Sequence, residues 1–403
     1  MSGLKVCLIS QEYPPETGWG GIGTYTYHLA HGLAKADHRT TVISYQVTAQ
    51  CCYDDDGVTV WRIPNAQCRS WLSKSTGFLL GRGYSSLWLR SRAAFRQIDA
   101  LVAENGPFDI IEAPLWNGEG AAYSRRSRTP LIIRLQTPGF QSAGILTKKP
   151  NRAVERLERK SLARATLIMT ISRSVGDLVA GYYGVDRSKI RLAPLGIPLS
   201  PVDGPLFEAA SHRLLYVGRL EQRKGTQELI EALPSMLIQD PLLTVDIVGK
   251  DTGQAPGGGS YEDYCRRLVP AKLRERVKFH GFVSEKVLED FYRSCDVFVA
   301  PSRYESFGLI YLEAMRYGKP VIGTRAGGIP EIVDNTVGRL VDVNKPDQIS
   351  QAVIDLMKKP SQRRELGAAG FKLVRQRFTM EEMIRRSLEI YAEAIDLAHA
   401  GRR

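Results

Sequence analysis

The chain contains no apolar run approaching the ~20 residues a membrane span needs. The strand-like KVCLIS begins almost at the first residue, so no signal peptide is expected. Cysteine is scarce: Cys7, Cys51, Cys52, Cys68, Cys265 and Cys295 lie scattered, without C-x-x-C or Cys/His metal spacing. That argues against a disulfide scaffold and fits idle thiols in a reducing cytoplasm. The six histidines form no paired catalytic arrangement. No nucleic-acid-binding module accompanies the positive charge, so nucleic acid is not an expected partner.

The 403 residues exceed one ordinary core and predict two domains. The net charge of +12 is uneven: residues 1–200 carry 25 Lys+Arg against 15 Asp+Glu, and the remainder 30 against 28. A basic N-terminal half suits an anionic membrane face or an anionic acceptor, or reflects no more than solvated helix faces. β-Branched runs alternate with helical patterns throughout. KVCLIS, TTVISY, VTVWRI, DIIEAP, LIIRLQT and LIMTIS occupy the first half. RLLYVGRL, LTVDIVGK, VKFHGFV, VFVAPS, PVIGTR and RLVDV occupy the second. This rhythm predicts two Rossmann-like, doubly wound parallel-sheet domains facing across a cleft. The expected bounds are 1–198 and 199–379, joined within APLGIPLSPVDGP at 193–205. A last helix at about 380–403 carries Met383, Ile384, Leu388, Tyr391 and Ile395 on one apolar stripe and is expected to be buried.

PPETGWGGIGTYTYHLAHGLA contains G-x-G-x-x-G at Gly18, Gly20 and Gly23, the spelling of a dinucleotide site. Such a site needs its glycines directly after the first strand and an acid at the end of the second. Here QEYPPET intervenes, and TTVISY runs into Gln46 and Val47. NAD or FAD is therefore not expected. The glycines do precede a helix, whose free amides form an anion site. A plain turn is the alternative.

In YVGRLEQRKGTQELIEAL, Arg219 follows a strand and Lys224 precedes a helix, two cations suited to a diphosphate leaving group. In SRYESFGLIYLEAM, Glu305 and Glu313 flank Ser306-Phe307-Gly308. One carboxylate suits sugar hydroxyls and the other a ribose. A hydrolase acid/base pair is the competing chemistry, but it has no use for phosphate-binding elements. Asp54-Asp55-Asp56 spells D-x-D, yet it precedes Gly57 and a strand, and so reads as a polar turn and not a metal site.

These elements together resemble the retaining nucleotide-sugar glycosyltransferases of family 4, which have the GT-B fold. The resemblance covers essentially the whole chain: the Gly-Gly loop, G-R-x-x-x-x-K-G at 218–225, G-F-V at 281–283, P-S-x-x-E-S-F-G-L-x-x-x-E-A-M at 301–315 and G-T-R-A-G-G-I-P-E at 323–331. It implies that Gly20 and Gly21 lie near the donor diphosphate, and that Arg219 and Lys224 bind the phosphates and assist their departure. It also implies that Glu305 contacts the donor sugar and that the Ser306, Phe307, Gly308 and Leu309 segment touches sugar or phosphate. Glu313 would hold the ribose, and Val283 would line the base pocket. The implied reaction retains anomeric configuration by front-side attack and needs no metal and no cofactor beyond the donor. One departure stands out: near the acceptor and donor sugar many members carry His, where this chain has Gln136, an acceptor-side candidate that can hydrogen-bond a sugar but cannot act as a base. Glu112 and Glu119 are acceptor-side candidates, or else solvated loop acids.

The leading expectation is hexose transfer from a nucleotide diphosphate sugar to a glycan or lipid-linked glycan in polysaccharide biosynthesis. UDP-glucose is the first donor candidate and GDP-mannose, for a mannosyltransferase, the second. A catalytically inactive nucleotide-binding module is opposed by the intact Arg219, Lys224, Glu305 and Glu313. A phosphorylase would want a lysine in a pyridoxal phosphate context, which is not evident. The basic segments RAVERLERKSLAR (152–164) and RGYSSLWLRSRAAFR (82–96) suggest peripheral contact with the cytoplasmic membrane face, with core-packing helices as the alternative.

Overall fold

The computed structural model describes residues 3–15, 21–46, 50–64, 83–124, 129–141, 149–199, 204–206 and 211–400. It divides into two compact units, Met1–Leu195 with Met380–Arg403, and Gly196–Thr379.

In the first unit, β1 (Lys5–Ile9), β2 (Arg39–Gln46), β3 (Cys51–Asp55), β4 (Val58–Pro64), β5 (Ile110–Pro114), β6 (Leu131–Leu135), β7 (Leu167–Thr170) and β8 (Ile190–Leu192) form one sheet in the order β3-β4-β2-β1-β5-β6-β7-β8. Every pairing is parallel except β3 with β4. The described helices are α1 (Gly21–Lys35), α2 (Tyr84–Asn105), α3 (Arg152–Arg164) and α4 (Arg173–Tyr183). β5 and β6 are buried at every position, as expected of strands covered on both faces. Inside that apolar lattice sit Glu112 on β5 and Arg134 on β6, on the same face of the sheet.

The last helix, α11 (Met380–Ala400), closes over them. Met383, Ile390, Tyr391 and Ala394 join the core around Leu8, Leu29 and Val42. Tyr391 donates a 2.6 Å hydrogen bond to Glu112 Oε2, while Tyr25 of α1 donates to Oε1 at 2.7 Å. Arg191 adds an ion pair to Glu393.

The second unit builds β9 (Arg213–Val217), β10 (Thr244–Val248), β11 (Val277–Gly281), β12 (Val297–Val299), β13 (Val321–Thr324) and β14 (Gly338–Val341) into a parallel sheet ordered β11-β10-β9-β12-β13-β14. Its helices include α5 (Thr226–Gln239), α6 (Tyr261–Leu268), α7 (Glu285–Ser294), α8 (Leu309–Met315), α9 (Pro346–Met357) and α10 (Pro360–Arg377). The strand order reverses between β9 and β12, and ligands of open α/β sheets bind beyond the carboxyl ends at that point.

Besides the short strand β8, which lies in none of the expected runs, two elements depart from the sequence expectations. Asp54 and Asp55 end strand β3, and Asp56-Gly57, both at positive φ, turn the chain directly into β4. The run is a hairpin turn, with Asp54 Oδ1 accepting from the Gly57 amide at 3.0 Å. The second is α10, unforeseen because Gly367 and Gly370 interrupt its pattern. Both glycines are buried, and a Cβ at Gly370 would press on Met315 of α8 at 3.0 Å.

Removing the Tyr391 hydroxyl tests the docking of α11. Tyr391→Phe leaves one oxygen of the buried Glu112 carboxylate short of a donor. Urea unfolding should show a loss of about 1.5–3 kcal/mol, and unchanged stability would show that the bond contributes nothing.

Candidate active site

In the second unit the loop after β9 and the loop after β12 flank the switch point, and the structure locks them together. Gly225 has φ 69°, and an added Cβ would lie 1.9 Å from the Pro301 carbonyl oxygen. The Arg303 amide donates to the Arg223 carbonyl at 2.8 Å, and the Arg223 guanidinium donates to the Tyr304 carbonyl at 3.2 Å. The result brings Lys224 Nζ to 2.5 Å from Glu305 Oε1. Ser302 Oγ donates to the same oxygen at 2.9 Å, and Arg223 Nη1 lies 3.5 Å from Oε2.

The segment after β13 secures Glu305 from behind. Gly328 donates its amide to the Glu305 carbonyl at 2.8 Å, and a Cβ on Gly327 would fall 2.1 Å from that oxygen. Glu305 is 8% exposed. Burial alone would raise its pKa, but the Lys224 and Arg223 charges and the hydrogen bonds from Lys224 and Ser302 hold it below the ordinary value. It is an anion held among fixed cations.

Arg219 is exposed and bonds Glu221 Oε1 at 3.2 Å, an oxygen shared with Arg223 at 2.8 Å. Arg223 is a residue the sequence reading missed: besides pairing with Glu221 it stands 3.5 Å from Glu305. The only signal was its place beside Lys224. Ser306 and Phe307 are buried, with the Phe307 ring against Phe378, so Phe307 has only its backbone to offer a ligand. Gly308, at φ 109°, precedes Leu309 at the start of α8. Glu313 sits half-buried on α8 and accepts from Tyr292 Oη at 2.8 Å; burial raises its pKa against that bond and Arg316. Val283 is half-buried just past β11, beside Phe282, which is 82% exposed.

In the first unit, Gly20 and Gly18 lie outside the described residues. Gly21 opens α1, exposed, and a Cβ there meets nothing within 4 Å. Gln136 follows β6 and lines a small cleft with Arg134 and Glu112. Glu112 and Glu119 are not solvated loop acids. Glu112 is a strand residue 4% exposed, with each oxygen engaged by a tyrosine hydroxyl. Glu119, on the short helix Trp116–Ala122, is 2% exposed and has no side-chain hydrogen-bond partner among the described residues. Burial pushes its pKa up to about 8, against the attraction of Arg90. Among the described residues no group of three or more His, Cys, Asp or Glu is placed to hold a metal ion. Cys7, Cys265 and Cys295 are buried thiols, Cys51 and Cys52 are exposed, and Cys68 lies outside the described residues.

The raised pKa of Glu119 has a definite sign. Between its ordinary value and about pH 8 the folded chain keeps a proton that the unfolded chain releases, so this group lowers stability as pH rises. Glu119→Gln should become progressively more stable relative to the parent from about pH 5 to about pH 8.5. Parallel Tm profiles for parent and variant would contradict the assignment.

Two family models cover most of the chain: the "Glycosyl transferase 4-like domain" matches residues 20–196, and "Glycosyl transferases group 1" matches residues 206–373. An uncharacterized glycosyltransferase of Methanocaldococcus jannaschii is 25% identical over 98% of this chain and 99% of that protein. The D-inositol 3-phosphate glycosyltransferase of an Arthrobacter species is 27% identical over 98% of this chain and 94% of its own length. Among solved structures, sucrose-phosphate synthase from Thermosynechococcus elongatus matches with TM-score 0.74 at 21% identity, covering 97% and 99% of the two chains. Anabaena HepE, solved with UDP and glucose, matches with TM-score 0.68 at 19% identity, covering 96% and 99%. With two parallel α/β units and both halves matched, the chain belongs to the family 4 type of glycosyltransferases and has the GT-B fold.

Proposed function

We propose that the protein transfers a hexose from a nucleotide diphosphate sugar, with retention of configuration, to a glycan or lipid-linked glycan. The observation that carries this reading is the pairing of half-buried Lys224 with buried Glu305, flanked by Arg223 and Arg219 at the switch point of the second unit. A departing diphosphate gains negative charge, and preorganised cations stabilise that charge without reorganising. Lys224 and Arg219 take this role, and Arg223 holds the geometry through Glu221 and the Tyr304 carbonyl. Glu305 accepts hydroxyls of the donor sugar, Glu313 those of the ribose, and the backbone from Ser306 to Leu309 adds amide donors. Val283 lines the base. The acceptor hydroxyl attacks on the face the diphosphate leaves, and side-chain cations stand in for a metal.

UDP-glucose is the first donor to test, since a structural neighbour was solved with UDP and glucose. GDP-mannose comes second. Thermal shifts with a panel of nucleotide sugars identify the donor, because only a bound donor raises stability by mass action. With that donor, Lys224→Ala and Glu305→Ala should each cut kcat by about 10²–10³-fold, without loss of the folded CD spectrum, and EDTA should leave the parent rate unchanged. A folded Lys224→Ala variant with near-normal transfer would remove the phosphate role.

Gly21 gives a separate test of the first unit. Nothing in the fold demands glycine there, since a Cβ meets open space. Gly21→Val should keep the parent Tm and raise the donor KM; unaltered kinetics would return this residue to a plain turn.

We also propose peripheral contact with an anionic membrane on the cytoplasmic side. Arg92 and Arg96 of α2, with Arg152, Arg156 and Arg159 of α3, are exposed on neighbouring helices. No described helix is long and apolar enough to cross a membrane. Co-sedimentation with anionic vesicles at low salt, lost at high salt, is the expected outcome; no sedimentation at low salt counts against it.

A further inference from the structure

The loops after β9 and β12 share a further tie, made of two residues that the proposed chemistry does not use. Glu228 stands in the first turn of α5, whose cap is Gly225, and is 3% exposed. Its Oε1 accepts from Arg303 Nε at 2.7 Å, and Arg303 Nη2 lies 2.5 Å from the same oxygen. The other oxygen, Oε2, is buried without a hydrogen-bond partner among the described residues, so the carboxylate's described bonds all go to Arg303. Arg303 is half-buried, in the same loop as Glu305.

Arg303 holds two parts of one loop system. Its amide donates to the Arg223 carbonyl at 2.8 Å, beside Lys224. Its side chain bonds the helix into which Lys224 and Gly225 lead. A single backbone bond leaves a segment free to pivot, whereas a second attachment fixes its direction. The guanidinium is planar and pre-organised, so two of its N–H groups on one oxygen leave few orientations. On either side of Arg303, Ser302 Oγ donates to Glu305 Oε1 and the Tyr304 carbonyl accepts from Arg223. A rotation at Arg303 therefore reaches both. Stability alone does not call for an ion pair at this depth, since apolar residues of similar size often serve as well.

We propose that Glu228 is a positioning residue: by clamping the Arg303 side chain to α5 it fixes the loop after β12, so that Glu305 and Lys224 meet before any ligand arrives. The part that Lys224 and Glu305 play in transfer rests on the function proposed above; the clamp does not.

Crystal structures of the ligand-free chain test the clamp without substrate. In Glu228→Leu the Lys224–Glu305 contact should be broken or split among conformers, with Arg303 turned away from α5. An unchanged contact overturns the proposal. This variant leaves a half-buried guanidinium without its carboxylate and should lower Tm. The double variant Glu228→Leu/Arg303→Met removes both charges and should recover Tm, while the Lys224–Glu305 contact stays disturbed. If Glu228→Leu fails to fold, the contact in the double variant decides.

Kinetics with UDP-glucose as the probe separate positioning from stability. Both variants should lower kcat/KM by about 10- to 100-fold. Recovery of kcat/KM together with Tm in the double variant overturns the positioning role. The pH profile gives a second reading. Lys224 and Arg223 from the loop after β9 and Ser302 from its own loop face Glu305, and its charge is felt by Tyr216 of β9, by Tyr304 and by Tyr311 of α8. Burial works to raise the Glu305 pKa, and the two cations and the hydrogen bonds from Lys224 and Ser302 outweigh it. Loosening the cations lets that pKa rise, so the acid limb of kcat/KM should move to higher pH in both variants. A limb that stays at the parent's pH, with only its height reduced, overturns the proposal. A parent chain that does not use UDP-glucose refutes the donor choice instead, and leaves the crystal structures to decide the clamp.

Discussion

Gly225 stands so close to the Pro301 carbonyl that no side chain fits between them, and the chemistry of the second unit follows from that approach. Parallel strands β9 and β12 are neighbours, so their outgoing loops leave the sheet side by side. Contact alone would not bring Lys224 to Glu305, because a lysine stem is long and its rotamers are many. The close backbone approach, with Arg303 bonded to Arg223 and Arg223 to Tyr304, removes that freedom before any ligand arrives. Preorganisation of this kind is what makes buried cations more effective toward a developing charge than the same cations in water.

The same constraint explains why Glu305 ionises despite being nearly enclosed. A lone carboxylate at that depth would be protonated. Here the cations that outweigh desolvation are those the proposed reaction needs for the diphosphate, so one cluster both stabilises the carboxylate and awaits the phosphates. Glu119 in the first unit makes the contrast: equally buried, but without a side-chain donor against its carboxylate, it is driven up to about 8 despite Arg90 and the Gln11 backbone. Burial is the same in both cases, and the partners reverse the outcome.

Much of this was readable from residue order. β-Branched runs alternating with helical periodicity require parallel sheets, and every expected strand is present, with β3 and β8 in addition. Arg219, Lys224, Glu305 and Glu313 stood out because cations and carboxylates at strand-to-helix loops have few structural uses. What escaped notice depended on distances the sequence does not encode. Arg223 looked like one more basic residue until the loop placed it against Glu305. Helix α10 was hidden by glycines that serve its packing on Met315, where propensity and tertiary contact disagree. Glu112, read as an acceptor-side candidate or else a solvated loop acid, is a buried strand residue, and the tyrosine that satisfies it, Tyr391, lies 279 positions away.

That long-range tie gives the first unit its own logic. The sheet accepts Glu112 and Arg134 on one inner face only because groups from α1, from α11 and from the chain near Ala193 converge on them. Tyrosine is well suited to this, since its ring fills the core while its hydroxyl satisfies the carboxylate. The guanidinium is left with donors to spare, and Arg134 lines one small cleft together with Gln136. A histidine at position 136 would have to share that space with a fixed positive charge, which disfavours its protonated form. Glutamine meets the same charge with a carbonyl oxygen, at no electrostatic cost. A glutamine at this position is therefore consistent with the buried guanidinium that lines the same cleft.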